Sequence, residues 1–127
     1  LGVKAFLDTH AAVFLWEADK RRFGPGALAL LESATLFVSP MVRLELSLLR
    51  EVGKLVPTPG EILGTLAAEL GVEESRDRME DVVRQAVRLS WTRDPFDRMI
   101  VATAALHRAP LLTRDDRIRE GYAEAVW

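Results

Sequence analysis

Short apolar runs alternate along this chain with longer stretches in which apolar residues recur at three- and four-residue spacing. Residues 3–7 form a short apolar run closed by Asp8, which predicts a buried strand. Thr9 can then cap a helix whose apolar residues are Ala12, Val13, Leu15 and Trp16, fading by Asp19. Residues 20–23 read as a basic loop, and Pro25 opens a second helix with Leu28 and Leu31 inward. Residues 35–38 are β-branched or apolar at most positions, a second strand. Ser39 and Pro40 supply an N-cap and a first-turn proline for a helix that runs to about Val52 and stops at Gly53. After a proline-punctuated loop at 56–60 come a helix over 61–70, stopped by Gly71, and a short edge strand over 72–74. Met79, Val82, Val83, Ala86 and Val87 have helical spacing within 79–89. Asp94 and Pro95 start the next helix, whose apolar body runs from Met99 to Leu106. Residues 110–113 predict a further strand, Asp115-Asp116 open a short helix through Arg119, and residues 123–127 a last strand.

Strands alternating with helices predict an α/β fold with a mainly parallel sheet covered by helices on both faces. No internal repeat, low-complexity tract or linker divides the chain, so residues 1–127 are expected to form one domain. In open sheets of this class the ligand crevice lies outside the carboxyl ends of the strands. Asp8 ends the first strand and Thr113 to Asp115 follow a later one, which aims two carboxylates at the same rim.

Composition narrows the chemistry. A chain that is 49% hydrophobic and 28% charged is an ordinary globule, not a disordered one. It contains no cysteine, which excludes disulfide scaffolds, zinc fingers, iron–sulfur clusters and thiol catalysis. The two histidines, His10 and His107, are too few for a histidine-rich zinc site, so any metal site must be built from oxygen. A net charge of −2 gives no bulk signal of nucleic-acid binding. Fourteen of the 17 basic residues are arginine, the better fork for phosphate, although a GC-rich genome produces the same bias. No apolar run is long enough to span a membrane, and Leu1-Gly2-Val3-Lys4 enters strand-like sequence at once instead of a signal peptide, so a cytoplasmic location is expected.

Three acids stand in apolar settings. Asp8 ends a strand, Glu45 lies among Met41, Val42, Leu44, Leu46, Leu48 and Leu49, and Asp97 is one turn into a greasy helix. A buried carboxylate must be neutralised, paired or bound to a cation, and a hard divalent ion such as Mg²⁺ or Mn²⁺ takes oxygen ligands. Each acid also has a structural reading: an Asx-turn for Asp8, an ion pair with Arg43 or Arg50 or a solvated stripe with Glu51 for Glu45, helix capping for Asp94, Asp97 and Asp115. The histidines read as packing or surface residues, and Lys20-Arg21-Arg22 as a solvated loop.

Taken together, Leu7-Asp8-Thr9-His10, Arg43-Leu44-Glu45-Leu46, the run from Asp94 to Ala104 and Leu111-Leu112-Thr113-Arg114-Asp115 resemble the PIN-domain family, and within it the VapC-type toxins of toxin–antitoxin pairs. The segments occur in family order over most of the chain. The resemblance implies a PIN-like three-layer α/β sandwich and metal-dependent endonucleolytic cleavage of RNA. It implies an acidic cluster of Asp8, Glu45, Asp97 and Asp115, with Asp8, Asp97 and Asp115 as ligands of one or two Mg²⁺ or Mn²⁺ ions. Thr9 and Thr113 accompany the first and fourth acids, and Asp116 is the alternative to Asp115. Arg98, Lys20, Arg21 and Arg22 are candidates for phosphate contacts. A cognate antitoxin and a homodimer are the implied partners. Two other readings stand beside this one: a PIN-like module that only binds, and a phosphoacceptor signalling domain. The latter needs a late lysine, whereas Lys4, Lys20 and Lys54 are all early.

Overall fold

A computed structural model describes residues 2–127; Leu1 lies outside them. Among the described residues, five strands form one all-parallel sheet flanked by seven α-helices, an α/β sandwich of the expected class. The central strand β1 (Lys4–Leu7) is followed by α1 (Thr9–Trp16), a single 3-10 turn (Lys20–Arg22) and α2 (Pro25–Ser33). Then come β2 (Thr35–Val38), α3 (Pro40–Glu51), α4 (Pro59–Leu70) and β3 (Glu73–Glu74). The chain ends with α5 (Met79–Val87), α6 (Pro95–Leu106), β4 (Leu111–Leu112), α7 (Asp116–Gly121) and β5 (Ala125–Val126).

The strand order is β3-β2-β1-β4-β5. Excursions from β1 build one half of the sheet, and the chain then returns past β1 to add β4 and β5 on its other side. Leu7 pairs in register with Val38 on one flank and Leu112 on the other. The switch in winding therefore falls between β1 and β4, where an open α/β sheet leaves a crevice. β1, α1 and β4 supply the fully buried centre: Phe6, Leu7, Ala11, Ala12, Leu111 and Leu112. A strand buried on both faces has to be apolar at successive positions, as Ala5-Phe6-Leu7 is.

Several predicted boundaries move for local reasons. Val3 is exposed and precedes β1. Asp8, not Thr9, caps α1, its carboxylate accepting from Ala11 N at 2.8 Å. The basic loop tightens into a 3-10 turn because Asp19 accepts from Arg21 N. The helix expected from Glu61 begins at Pro59, since Thr58 caps it and proline suits a first turn. On α5 only Val82 and Ala86 are buried; Met79, Val83 and Val87 remain exposed. The chain closes where Gly26 N donates to Trp127 O at 3.0 Å, and a side chain on Gly24 would meet Trp127 C at 2.4 Å. Glycine is needed there for close backbone approach, not for a special φ.

Candidate active site

The crevice at the switch point is a cleft of about 360 Å³ whose lining includes Asp8, Glu45, Asp94, Asp97 and Asp115. Each acid arrives from a different local device. Asp8 and Asp115 follow β1 and β4 and cap α1 and α7, Asp115 accepting from Ile118 N at 3.0 Å. Asp94 caps α6, accepting from Phe96 N at 2.8 Å and Asp97 N at 3.1 Å, which leaves Asp97 in that helix's first turn. Three helix N-termini thus face the acids, and their partial positive charge favours carboxylates there. Capping and a place on the cleft are not alternatives for these residues: Asp8, Asp94 and Asp115 each cap a helix and line the cleft.

Two hydroxyls hold the arrangement. Thr9 donates to Oε1 of Glu45, fixing a carboxylate that reaches the cleft from α3. Neither arginine offered by the sequence pairs with Glu45: Arg43 engages Glu74, and Arg50 donates to Val56 O at 3.1 Å. Thr113 is fully buried; its hydroxyl accepts from Asp115 N at 3.1 Å and lies against the Asp8 carboxylate, whose proton affinity it reduces. Burial nevertheless raises the Asp8 pKa overall, with Glu45 adding to the rise. Asp97 is pushed up to about 7, first by burial and then by the charges of Asp94, Asp115, Glu45 and Asp8. All four carboxylates of the expected cluster therefore share one field.

Among the described residues, no three acidic or histidine side chains stand together as a finished metal chelate. The donor set still fits a hard divalent cation. It is all oxygen, it lies at one rim, and its mutual repulsion on Asp97 is what a cation relieves. Asp115 lines the cleft, whereas Asp116 lies in the first turn of α7 and does not. Asp94, which sequence reasoning assigned to capping alone, is also on the lining. Its position three residues before Asp97, one helical turn, was the available signal.

The basic candidates are placed differently. Arg98 Nε donates to Thr92 O at 2.8 Å, away from the cleft lining. Arg21 is held by Asp19 at 3.0 Å, and Lys20 is exposed on the 3-10 turn. Arg114, not singled out from sequence, lines the cleft together with His10. His107 instead pairs with Asp77 at 2.8 Å, away from that lining. None of the three lysines reaches the cleft lining, so no lysine is placed to neutralise an acceptor phosphate.

Comparison with known proteins gives three findings. The sequence matches the family model described as PIN domain over residues 5–123. No curated protein matches it significantly. Among solved structures, a toxin–antitoxin complex from Klebsiella pneumoniae is similar at TM-score 0.68 and 20% identity, covering 97% of this chain and 96% of that one. VapBC2 from Rickettsia felis, bound to a promoter DNA fragment, is similar at TM-score 0.66 and 16% identity, covering 98% of each chain. FitAcB from Neisseria gonorrhoeae gives TM-score 0.53 and 22% identity, covering 97% and 96%. At these identities the likeness is one of fold.

Proposed function

The chain belongs to the PIN domain family, and on that footing we propose that it is a metal-dependent endoribonuclease, the toxin of a toxin–antitoxin pair. One observation carries the reading: carboxylates from β1, α3, α6 and β4 line a single cleft at the sheet's switch point. Asp8, Asp97 and Asp115 would hold one or two Mg²⁺ or Mn²⁺ ions, which supply Lewis-acid polarisation of a phosphodiester and activation of water. Glu45, with Oε1 committed to the Thr9 hydroxyl, keeps its other oxygen to orient water and take its proton. Asp94 and the three helix N-termini set the field in which these groups work. No side-chain nucleophile is required, in keeping with a chain without cysteine.

The partner proposal draws on the structural neighbours, one a toxin–antitoxin complex by description and another VapBC2 bound to a promoter DNA fragment. We infer a cognate antitoxin and a homodimer for this chain, with the exposed Leu44 and Leu48 of α3 and Met79, Val83 and Val87 of α5 as apolar surface available to them. Among the described residues no helix is long and apolar enough to cross a membrane; the proposed site of action is the cytoplasm, where RNA is available.

The test is cleavage of a mixed RNA substrate by the free chain with Mn²⁺, with EDTA, and with Asp97→Asn. Cleavage should require the metal and vanish in the variant, because an amide keeps the shape and loses the ligand charge. The incomplete convergence of the carboxylates favours a second reading, a PIN-like module that binds without cutting. Metal-independent RNA binding with no cleavage under any condition would establish that reading and sink the first.

A further inference from the structure

Five carboxylates make the cleft hostile to a phosphodiester backbone. Arg114 and His10 are the groups on its lining able to carry positive charge. Arg114 shares the cleft with the acids, yet among the described residues it forms no ion pair with any of them. Its guanidinium lies over the ring of Phe14, 4.7 Å from the centroid. Arg22, from the 3-10 turn, lies over the same ring at 4.8 Å. Phe14 is 4% exposed and sits edge-on to Phe23 and Trp127, so the ring is a fixed perch. The carboxylate nearest Arg22 is Asp19, 3.8 Å away and more closely engaged by Arg21 at 3.0 Å.

Two like charges on one ring repel each other, and a cation–π contact uses none of a guanidinium's five N–H donors. Among the described residues neither fork donates a side-chain hydrogen bond, Arg22 meeting Asp19 only at 3.8 Å, so both keep N–H donors for phosphate. The pair lies immediately beside the cleft, on the side formed by α1 and the turn after it. We propose that Arg114 and Arg22, carried on Phe14, form a phosphate subsite that receives the RNA strand next to the acidic cleft and directs it out across α1. The substrate named here rests on the nuclease reading above; the subsite itself rests on the arginine pair. It takes the place of Arg21, which Asp19 holds, and of Arg98, whose Nε turns to Thr92 O off the cleft lining, as the backbone contact nearest the chemistry.

The experiment measures binding of a labelled single-stranded RNA oligonucleotide in EDTA, over a series of salt concentrations, by fluorescence anisotropy. The proteins are wild type, Arg114→Gln, Arg22→Gln and Arg84→Gln, the last an α5 arginine paired with Asp81 and Glu80. Circular dichroism checks that each folds, and cleavage with Mn²⁺ is assayed in parallel. Arg114→Gln and Arg22→Gln should each weaken binding roughly tenfold at low salt. Each should also flatten the dependence of log K on log salt by about 0.7, one single-strand phosphate contact. Arg84→Gln should match wild type. Wild-type affinity and slope in both cleft-side variants overturn the subsite while leaving the nuclease reading intact. Arginine-dependent binding by a protein that never cleaves overturns the nuclease reading and supports the subsite. Failure of wild type to bind RNA in EDTA overturns the subsite, and if it also fails to cleave with Mn²⁺ the nuclease reading falls with it.

Discussion

Asp97 is where the site's electrostatics converge, because burial and four neighbouring carboxylates all oppose its ionisation. Its folded pKa of about 7 stands above the ordinary 3.8, so the unfolded chain gives up this proton more readily than the folded one. The metal-free protein should therefore be most stable below about pH 4 as far as this group is concerned, and lose that stability as pH rises through 7. Asp97 is only partly buried, so solvent damps the effect. Thermal melts in EDTA between pH 5 and 8 should show Asp97→Asn with a flatter profile than wild type, melting at or above it at pH 8. A variant that melts lower than wild type throughout would make Asp97 a structural residue. The sequence pointed to Asp97 because an acid one turn into an apolar helix is costly unless it has work to do. It did not point to Arg114, because a lone arginine between a buried threonine and an aspartate carries no sign of the ring it rests on; Phe14 is distant in the chain and meets it only through the fold.

At the level of elements, helix starts and site residues coincide. α1, α6 and α7 are capped by Asp8, Asp94 and Asp115, and all three caps open onto the cleft. Proline or a short polar residue ahead of an apolar run made these starts readable, and the strand ends before Asp8 and Asp115 located the rim. The two-residue strands β3, β4 and β5 were readable as apolar or edge segments but not in their pairing, which depends on register across the sheet and not on local pattern. What sequence could not decide was whether an acid caps or serves the site, since both roles ask for the same residue type at the same place. Asp94 separates them by experiment. Asp94→Ala removes two capping hydrogen bonds and should cost about 0.5–2 kcal/mol in denaturant unfolding. Asp94→Asn keeps the cap and should stay near wild type in stability. Both remove a charge that raises the Asp97 pKa, so a carboxyl titration followed by NMR should show Asp97 ionising at lower pH in each. Equal loss of stability in the two variants, with Asp97 unmoved, would count against the dual role.

At the scale of the whole molecule, the cleft is where separately built parts meet. β1 and β4 come from the two halves of the sheet, Glu45 from the helix after β2, and Asp94 and Asp97 from the long return toward β4. That assembly follows from winding order, the feature of this fold least visible in sequence, and it makes the cleft a joint as well as a site. Carboxylates gathered there without a cation hold like-charge repulsion in the native state, and unfolding releases it. A divalent ion that binds the folded chain and not the unfolded one reverses the sign, tying the halves together. At a hundredfold excess over its dissociation constant, Mn²⁺ should stabilise the protein by about 2.7 kcal/mol. For a domain of this length each kcal/mol moves Tm by roughly 3–5 °C. The measurement is the melting temperature of wild type, Asp8→Asn and Asp115→Asn in EDTA and in saturating Mn²⁺; asparagine is chosen because it preserves the caps of α1 and α7. Wild type should gain the largest metal-induced rise, and each variant a much smaller one from an apo baseline no lower than wild type's. Apo variants that melt several degrees lower and respond to Mn²⁺ as wild type does would show that these aspartates hold helices and not metal.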